Sequence, residues 1–234
     1  MRVTRLFIFE GMSMHRFLYL TLLLLTACDG ASTDQDSSQS TTQPRTHDAL
    51  TYVYHCDSGY TFTARVTGDD SWLFLPGMTV RTPRVTSASG VRYSDGSTTF
   101  WSKGDKASLE HDGNSYRNCR NDMRAAIWEH AKLNGADFRA VGNEPGWHME
   151  ISNKHDIVLV SDYGQSRYQF ENATITASPG DRRTSYLADN GTNRIEVILL
   201  GQRCQDTMAD EDYETTVTVI LDERELNGCG RPLH

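Results

Sequence analysis

The chain has 234 residues and a formal net charge of −8. That length leaves room for two small domains, and an acidic balance argues against nucleic acid as a partner while suiting solubility or a cationic partner. The charge is uneven: residues 1–27 sum to +2, 29–48 to −3, 49–120 to +1, 121–135 to 0 and 136–234 to −8.

Arg16 precedes an apolar run from Phe17 to Leu25. This is a short positive region followed by a hydrophobic stretch of signal-peptide length, too short for a stable membrane span. Residues 1–27 are therefore expected to be an export signal, with Met12 or Met14 a better initiator than Met1. The run ends in Leu25-Thr26-Ala27-Cys28, which resembles the bacterial lipobox. That resemblance implies that Cys28 becomes a lipidated N-terminus anchored to the inner or outer membrane of a Gram-negative bacterium. Residues 28–48 are rich in Ser, Thr, Gln and Asp with almost no apolar side chain, and read as a disordered tether.

From Thr51 the pattern turns to period two. Tyr60, Phe62, Ala64 and Val66 fall on one strand face, and Trp72 to Leu75 ends at Pro76-Gly77. Short strands with closely spaced turns predict a small antiparallel β-barrel or sandwich over residues 49–120. Ser87 to Ala107 reads as a β-hairpin, because Asp95-Gly96 lies between two alternating runs. With those two as the whole loop, paired positions sum to 191, so Ser89 faces Ser102; a one-residue bulge puts Ser89 opposite Lys103. Either register brings Ser89 and Lys103 to one end of the hairpin, each beside a glycine, Gly90 and Gly104.

Ser89-Gly90-Val91-Arg92-Tyr93 and Lys103-Gly104-Asp105-Lys106-Ala107 resemble the two signature motifs of the MliC/PliC family, periplasmic inhibitors of c-type lysozyme. The likeness runs over about 70 residues, from Thr51 to Cys119. Ser102 departs mildly from the family's Thr and keeps the hydroxyl. The resemblance implies an all-β, eight-stranded barrel and lysozyme-binding positions at Ser89, Gly90, Tyr93, Lys103 and Gly104. Ser89 and Lys103 are expected to enter the lysozyme cleft, while Tyr93 reads as a packing residue of the motif. The implied function is protection of peptidoglycan by an inhibitor that is not an enzyme, with c-type lysozyme as partner.

Residues 121–135 form the one helical pattern, with Ala125, Ile127, Trp128 and Leu133 near a common stripe and Gly135 at its end. Residues 136–234 read as a second β-rich domain. Trp147–Ile151, Asp156–Val160, Tyr168–Phe170, Thr174–Ala177 and Thr215–Leu221 are strand-like, and Asn190-Gly191 marks another hairpin. Gly142-Asn-Glu-Pro-Gly-Trp147, Cys204-x-Asp-x-Met208 and Gly228-Cys-Gly230 resemble an uncharacterised domain of bacterial envelope lipoproteins, which implies no activity.

Setting Cys28 aside, Cys56, Cys119, Cys204 and Cys229 remain. Each successive pair brackets a β-rich segment, so Cys56–Cys119 and Cys204–Cys229 is the natural choice among three connectivities, in an oxidising compartment. His55, His111, His130, His148 and His155 lack metal-ligand spacing, so neither a metal nor a cofactor is expected. Asp210-Glu211-Asp212 reads as a solvated turn, and Glu144 as a turn residue beside Pro145. Two rival readings remain: a structural or ligand-binding envelope lipoprotein, or a hydrolase using Ser89 and Lys103. The hydrolase lacks an oxyanion hole or an S-x-x-K spacing.

Overall fold

Eight strands follow one another between Leu50 and Asn121 and close into a barrel in the computed structural model, which describes residues 49–234. The expected export signal, Cys28 and the tether lie outside the described residues. The strands are β1 (Leu50–His55), β2 (Thr61–Val66), β3 (Asp70–Leu75), β4 (Met78–Val85), β5 (Val91–Ser94), β6 (Thr99–Lys103), β7 (Lys106–His111) and β8 (Asn114–Asn121). All pairs are antiparallel, and β1 closes the ring by pairing with both β2 and β8. Alternation decides the faces. Tyr54, Phe62, Ala64, Leu73, Tyr93, Phe100 and Leu109 point inward and are buried. Phe100 sits at the centre of an aromatic cluster, 5.7 Å from Tyr54, 5.9 Å from Phe62 and 6.0 Å from Tyr93. Cys56–Cys119 ties the loop after β1 to β8.

The helix α1 is shorter than its pattern predicts, spanning Met123–Leu133. Asn121 stays in the barrel ladder opposite Tyr54, and its side chain accepts from Val53 N. Asp122 is the N-cap, accepting from the amides of Arg124 and Ala125. The buried positions are Ala126, Trp128 and Ala131, whereas Ile127, expected on the packed stripe, is 51% exposed. The difference arises because the helix is buried on two sides. His130 reaches Thr51 of β1, while Trp128 packs on Tyr213 and Cys229 of the second half.

That half contains β9 (Ala136–Asn143), β10 (Gly146–Ser152), β11 (Ile157–Ser161), β12 (Ser166–Phe170), β13 (Thr174–Ser178), β14 (Arg183–Asp189), β15 (Arg194–Leu200), β16 (Cys204–Asp206), β17 (Glu211–Tyr213), β18 (Thr215–Leu221) and β19 (Arg224–Pro232). Nine of them form one sheet in the order β12-β11-β10-β9-β19-β18-β15-β14-β13, and β16-β17 is a separate hairpin. Alternate residues from both ends of the sheet, including Phe170, Ile157, Ile195 and Val219, meet in a single core. Cys204–Cys229 joins the small hairpin to β19. The barrel, the helix and this sheet pack as one compact unit.

Candidate functional site

The hairpin of β5 and β6 differs from its expected register. Tyr93 pairs with Phe100 and Ser94 with Thr99, so the loop is the four residues Asp95–Thr98 and paired positions sum to 193. The cause is the Asp95 side chain. Its Oδ1 accepts from Ser97 N at 2.8 Å, Thr98 N at 2.6 Å and the Ser97 hydroxyl at 2.9 Å, while Asp95 N donates to Thr98 O. These bonds, led by the one from the Thr98 amide, hold the Asp95 carboxyl below its ordinary pKa. An Asx side chain that caps its own turn favours the longer loop over a two-residue one.

The two-residue shift moves the functional end. The ladder stops at Val91 opposite Ser102, so Ser89 faces neither Ser102 nor Lys103 directly. Gly90 now lies beside Lys103: a Cβ placed on Gly90 would stand 3.2 Å from Lys103 Cβ and only 2.4 Å from Ser102 O. With φ at +67° as well, the position excludes a side chain on two counts. Lys103 pairs with Lys106 across a two-residue turn, Gly104-Asp105, in which Gly104 takes φ +62°. Ser89, Gly90, Lys103 and Gly104 are all exposed and sit at one end of the barrel.

Tyr93 does not share that exposure. It is 2% accessible, stacks on Phe100 and donates its hydroxyl to Thr67 O at 3.2 Å, so it offers no surface to a partner. Burial raises its phenol pKa. Ser89 carries the opposite kind of contact: its backbone carbonyl accepts from Trp101 Nε1 at 2.8 Å and from the Ser87 hydroxyl at 2.7 Å. No sequence spacing signals a side-chain-to-carbonyl bond of this kind.

The charge at this end is locally positive. Lys103 and Lys106 oppose each other across the turn, with Arg120 next to Lys106 on β8. Arg120 lies 3.7 Å from Asp105, whereas neither lysine has an ion pair among the described residues. Like charges placed opposite each other weaken a free hairpin, and the arrangement suits an anionic target. No hydrogen bond joins the side chains of Ser89 and Lys103 among the described residues.

The other residues singled out from the sequence lie elsewhere. Asp212 pairs with Arg203, and Glu211 pairs with Arg124 and accepts from the Tyr213 hydroxyl, so two of the three acidic side chains have partners. His55, His111 and His130 bond separately to Thr61, Thr98 and Thr51. Burial, with Arg139 nearby, lowers the pKa of His148. No helix among the described residues is long and apolar enough to cross a membrane.

The profile of the family described as "MliC: Membrane-bound lysozyme-inhibitor of c-type lysozyme" matches residues 54–133. The chain is 31% identical over 112 residues to a membrane-bound lysozyme inhibitor of C-type lysozyme from Pseudomonas aeruginosa, covering 42% of this chain and 88% of that one. A protein of the same name from Yersinia enterocolitica is 50% identical over 40 residues, 17% of this chain and 34% of its own. No solved structure matches.

Proposed function

The chain belongs to the family of membrane-bound lysozyme inhibitors of c-type lysozyme, and from that premise we propose that it blocks the active-site cleft of a c-type lysozyme with the barrel end that carries Ser89 and Lys103. Lysozyme works with two carboxylates, one protonated and one ionised, on either side of a sugar. A blocker therefore needs donors, one of them cationic, on projections narrow enough to enter the groove. Lys103 supplies three donors on a flexible stem, and the Ser89 hydroxyl adds a fourth. The observation that carries the reading is the two-residue Gly104-Asp105 turn, which holds Lys103, with no ion pair among the described residues, in solvent beside the Gly90 backbone.

Both relatives are membrane-bound by name. Lipid attachment at Cys28, a periplasmic location and protection of peptidoglycan complete the proposal, as the lipobox-like Leu25–Cys28 implies. Cys28→Ser should move the protein out of the membrane fraction and leave its inhibition unchanged; fractionation identical to wild type, with no lipid mass on the wild type, rejects the anchor.

The direct test adds the full chain to a c-type lysozyme clearing Micrococcus-type walls. Immediate, stoichiometric loss of lysis is expected. Loss that grows with time and leaves cleaved lysozyme means an enzyme, and no loss at any ratio rejects inhibition.

A further inference from the structure

We propose that Trp101 is a positioning residue for the Ser89 loop, acting on the partner only through the Ser89 carbonyl; this rests on the inhibitory reading above. The loop between Val85 and Val91 leaves the ladder on both sides, and among the described residues no backbone-to-backbone hydrogen bond holds it. Two side-chain donors do so instead. The Trp101 indole N–H at 2.8 Å and the Ser87 hydroxyl at 2.7 Å converge on the same carbonyl oxygen, that of Ser89.

The indole reaches that oxygen because Gly90 has no side chain. A Cβ on Gly90 would stand 3.1 Å from Trp101 Nε1. The glycine of the first motif thus opens the path for a donor from the neighbouring strand. Trp101 lies on the outer face of the sheet, opposite Arg92 and Ser108, while the barrel interior beneath it is filled by Tyr93 and Phe100. The indole is therefore spent on the loop and not on the core.

A loop with no backbone bonds of its own would lose conformational freedom on entering a cleft, which weakens binding. With its carbonyl held by two donors, the Ser89 loop loses that freedom during folding. Gly90 and the indole then keep the Ser89 hydroxyl and Lys103 on a common, preset end.

The test uses the full chain with Trp101→Phe, which keeps an aromatic ring and removes the donor, and Ser87→Ala, which removes the other donor at a half-buried position. In the free protein, amide relaxation at Ser89 should show the loop loosening in both variants, and the melting temperature should stay near wild type. The inhibition constant should rise roughly three- to tenfold for each, the worth of one net hydrogen bond. In a Ser89→Ala background, which keeps the carbonyl but removes the hydroxyl that the clamp presets, the Trp101→Phe effect should largely vanish.

A Trp101→Phe chain that inhibits like wild type overturns the proposal, as does an equal loss in the Ser89→Ala background. If Trp101→Phe fails to fold, Ser87→Ala alone decides, and wild-type inhibition by that variant rejects the clamp. A wild-type chain that inhibits nothing overturns the reading beneath the proposal. That failure is distinguishable, because relaxation of the free chain still reports whether the two donors order the loop.

Discussion

At the scale of the residue, the proposed site separates into groups that would meet a partner and groups that shape the backbone. A Lys103 ammonium facing a catalytic carboxylate would be a desolvated charge pair, and truncating one member costs about 2–5 kcal/mol of binding. Lys103→Ala should thus weaken inhibition by roughly thirtyfold or more. Ser89→Ala removes a smaller bond to a charged group, on the order of 1.5–3 kcal/mol. Lys103→Arg should also lose affinity, since a planar fork does not replace a point charge. Both positions are exposed, so melting temperatures should not move. Inhibition constants measured with melting curves check this, with Lys106→Ala as the control; if Lys106→Ala is the variant that fails, the wrong lysine has been assigned. The two motif glycines should also part company. Gly104 has open space around its Cβ position, so Gly104→Asn, which tolerates positive φ, should keep the melting temperature near wild type. Gly90→Ala drives a methyl into Ser102 O and should displace the Ser89 loop and lower both melting temperature and affinity.

At the scale of the element, a side chain sets the length of two four-residue hairpin loops. Asp95 closes the β5–β6 loop, and Asn190 closes the β14–β15 loop in the same manner, its Oδ1 accepting from Thr192 N and Asn193 N. The carboxyl of Asp95 is held below its ordinary value of 3.8, chiefly by the Thr98 amide. The folded state therefore favours the ionised form. Its contribution is full above the unfolded pKa and fades as pH falls through the lowered folded value. Asp95→Asn should keep the loop at neutral pH, as Asn190 does, and remove this part of the acid sensitivity. Asp95→Ala should destabilise by about 1 kcal/mol at pH 7 and by less at pH 3. Urea denaturation at pH 7 and pH 3 distinguishes them; equal acid sensitivity in wild type and Asp95→Asn contradicts the assignment. In α1, Trp128 is the counterpart: it lies 5.5 Å from Tyr213 and 4.4 Å from the Arg231 guanidinium. Trp128→Ala should cost roughly 3–5 kcal/mol in denaturation of the full chain, without touching the barrel end that carries Lys103.

At the scale of the molecule, charge and site are in different halves. The barrel residues 49–120 sum to +1 and residues 136–234 to −8. Bulk charge on the barrel cannot account for attraction to a partner, whereas the second sheet can steer a cationic lysozyme from a distance. The association rate of the full chain should fall as salt rises, because surface charges are screened beyond about 8 Å at physiological ionic strength. The dissociation rate should change little. An association rate indifferent to salt would remove steering as a role for the second sheet and leave it without one.

The period-two runs determined most of the fold from sequence, since a residue's face depends only on its neighbours two positions away. The eight-stranded barrel, the strands around Trp147, Val197 and Val217, and the candidate pair Ser89 and Lys103 were legible on that basis or through the motif resemblance. β19 was not, because Gly228 and Gly230 carry no side chain to mark a face of the strand. In the sheet, a Cβ on Gly228 would meet the Trp147 ring at 2.7 Å, so the glycine makes room for a tryptophan more than 80 residues earlier. The buried stripe of α1 was misjudged for a related reason: Trp128 and Ala126 are covered by surfaces far away in sequence, and Ile127 by none. The register of the site hairpin was settled by three hydrogen bonds to one carboxylate, and the hold on Ser89 by an indole twelve residues away. Periodicity encodes which face a side chain takes, but only the folded chain decides which distant group that side chain meets.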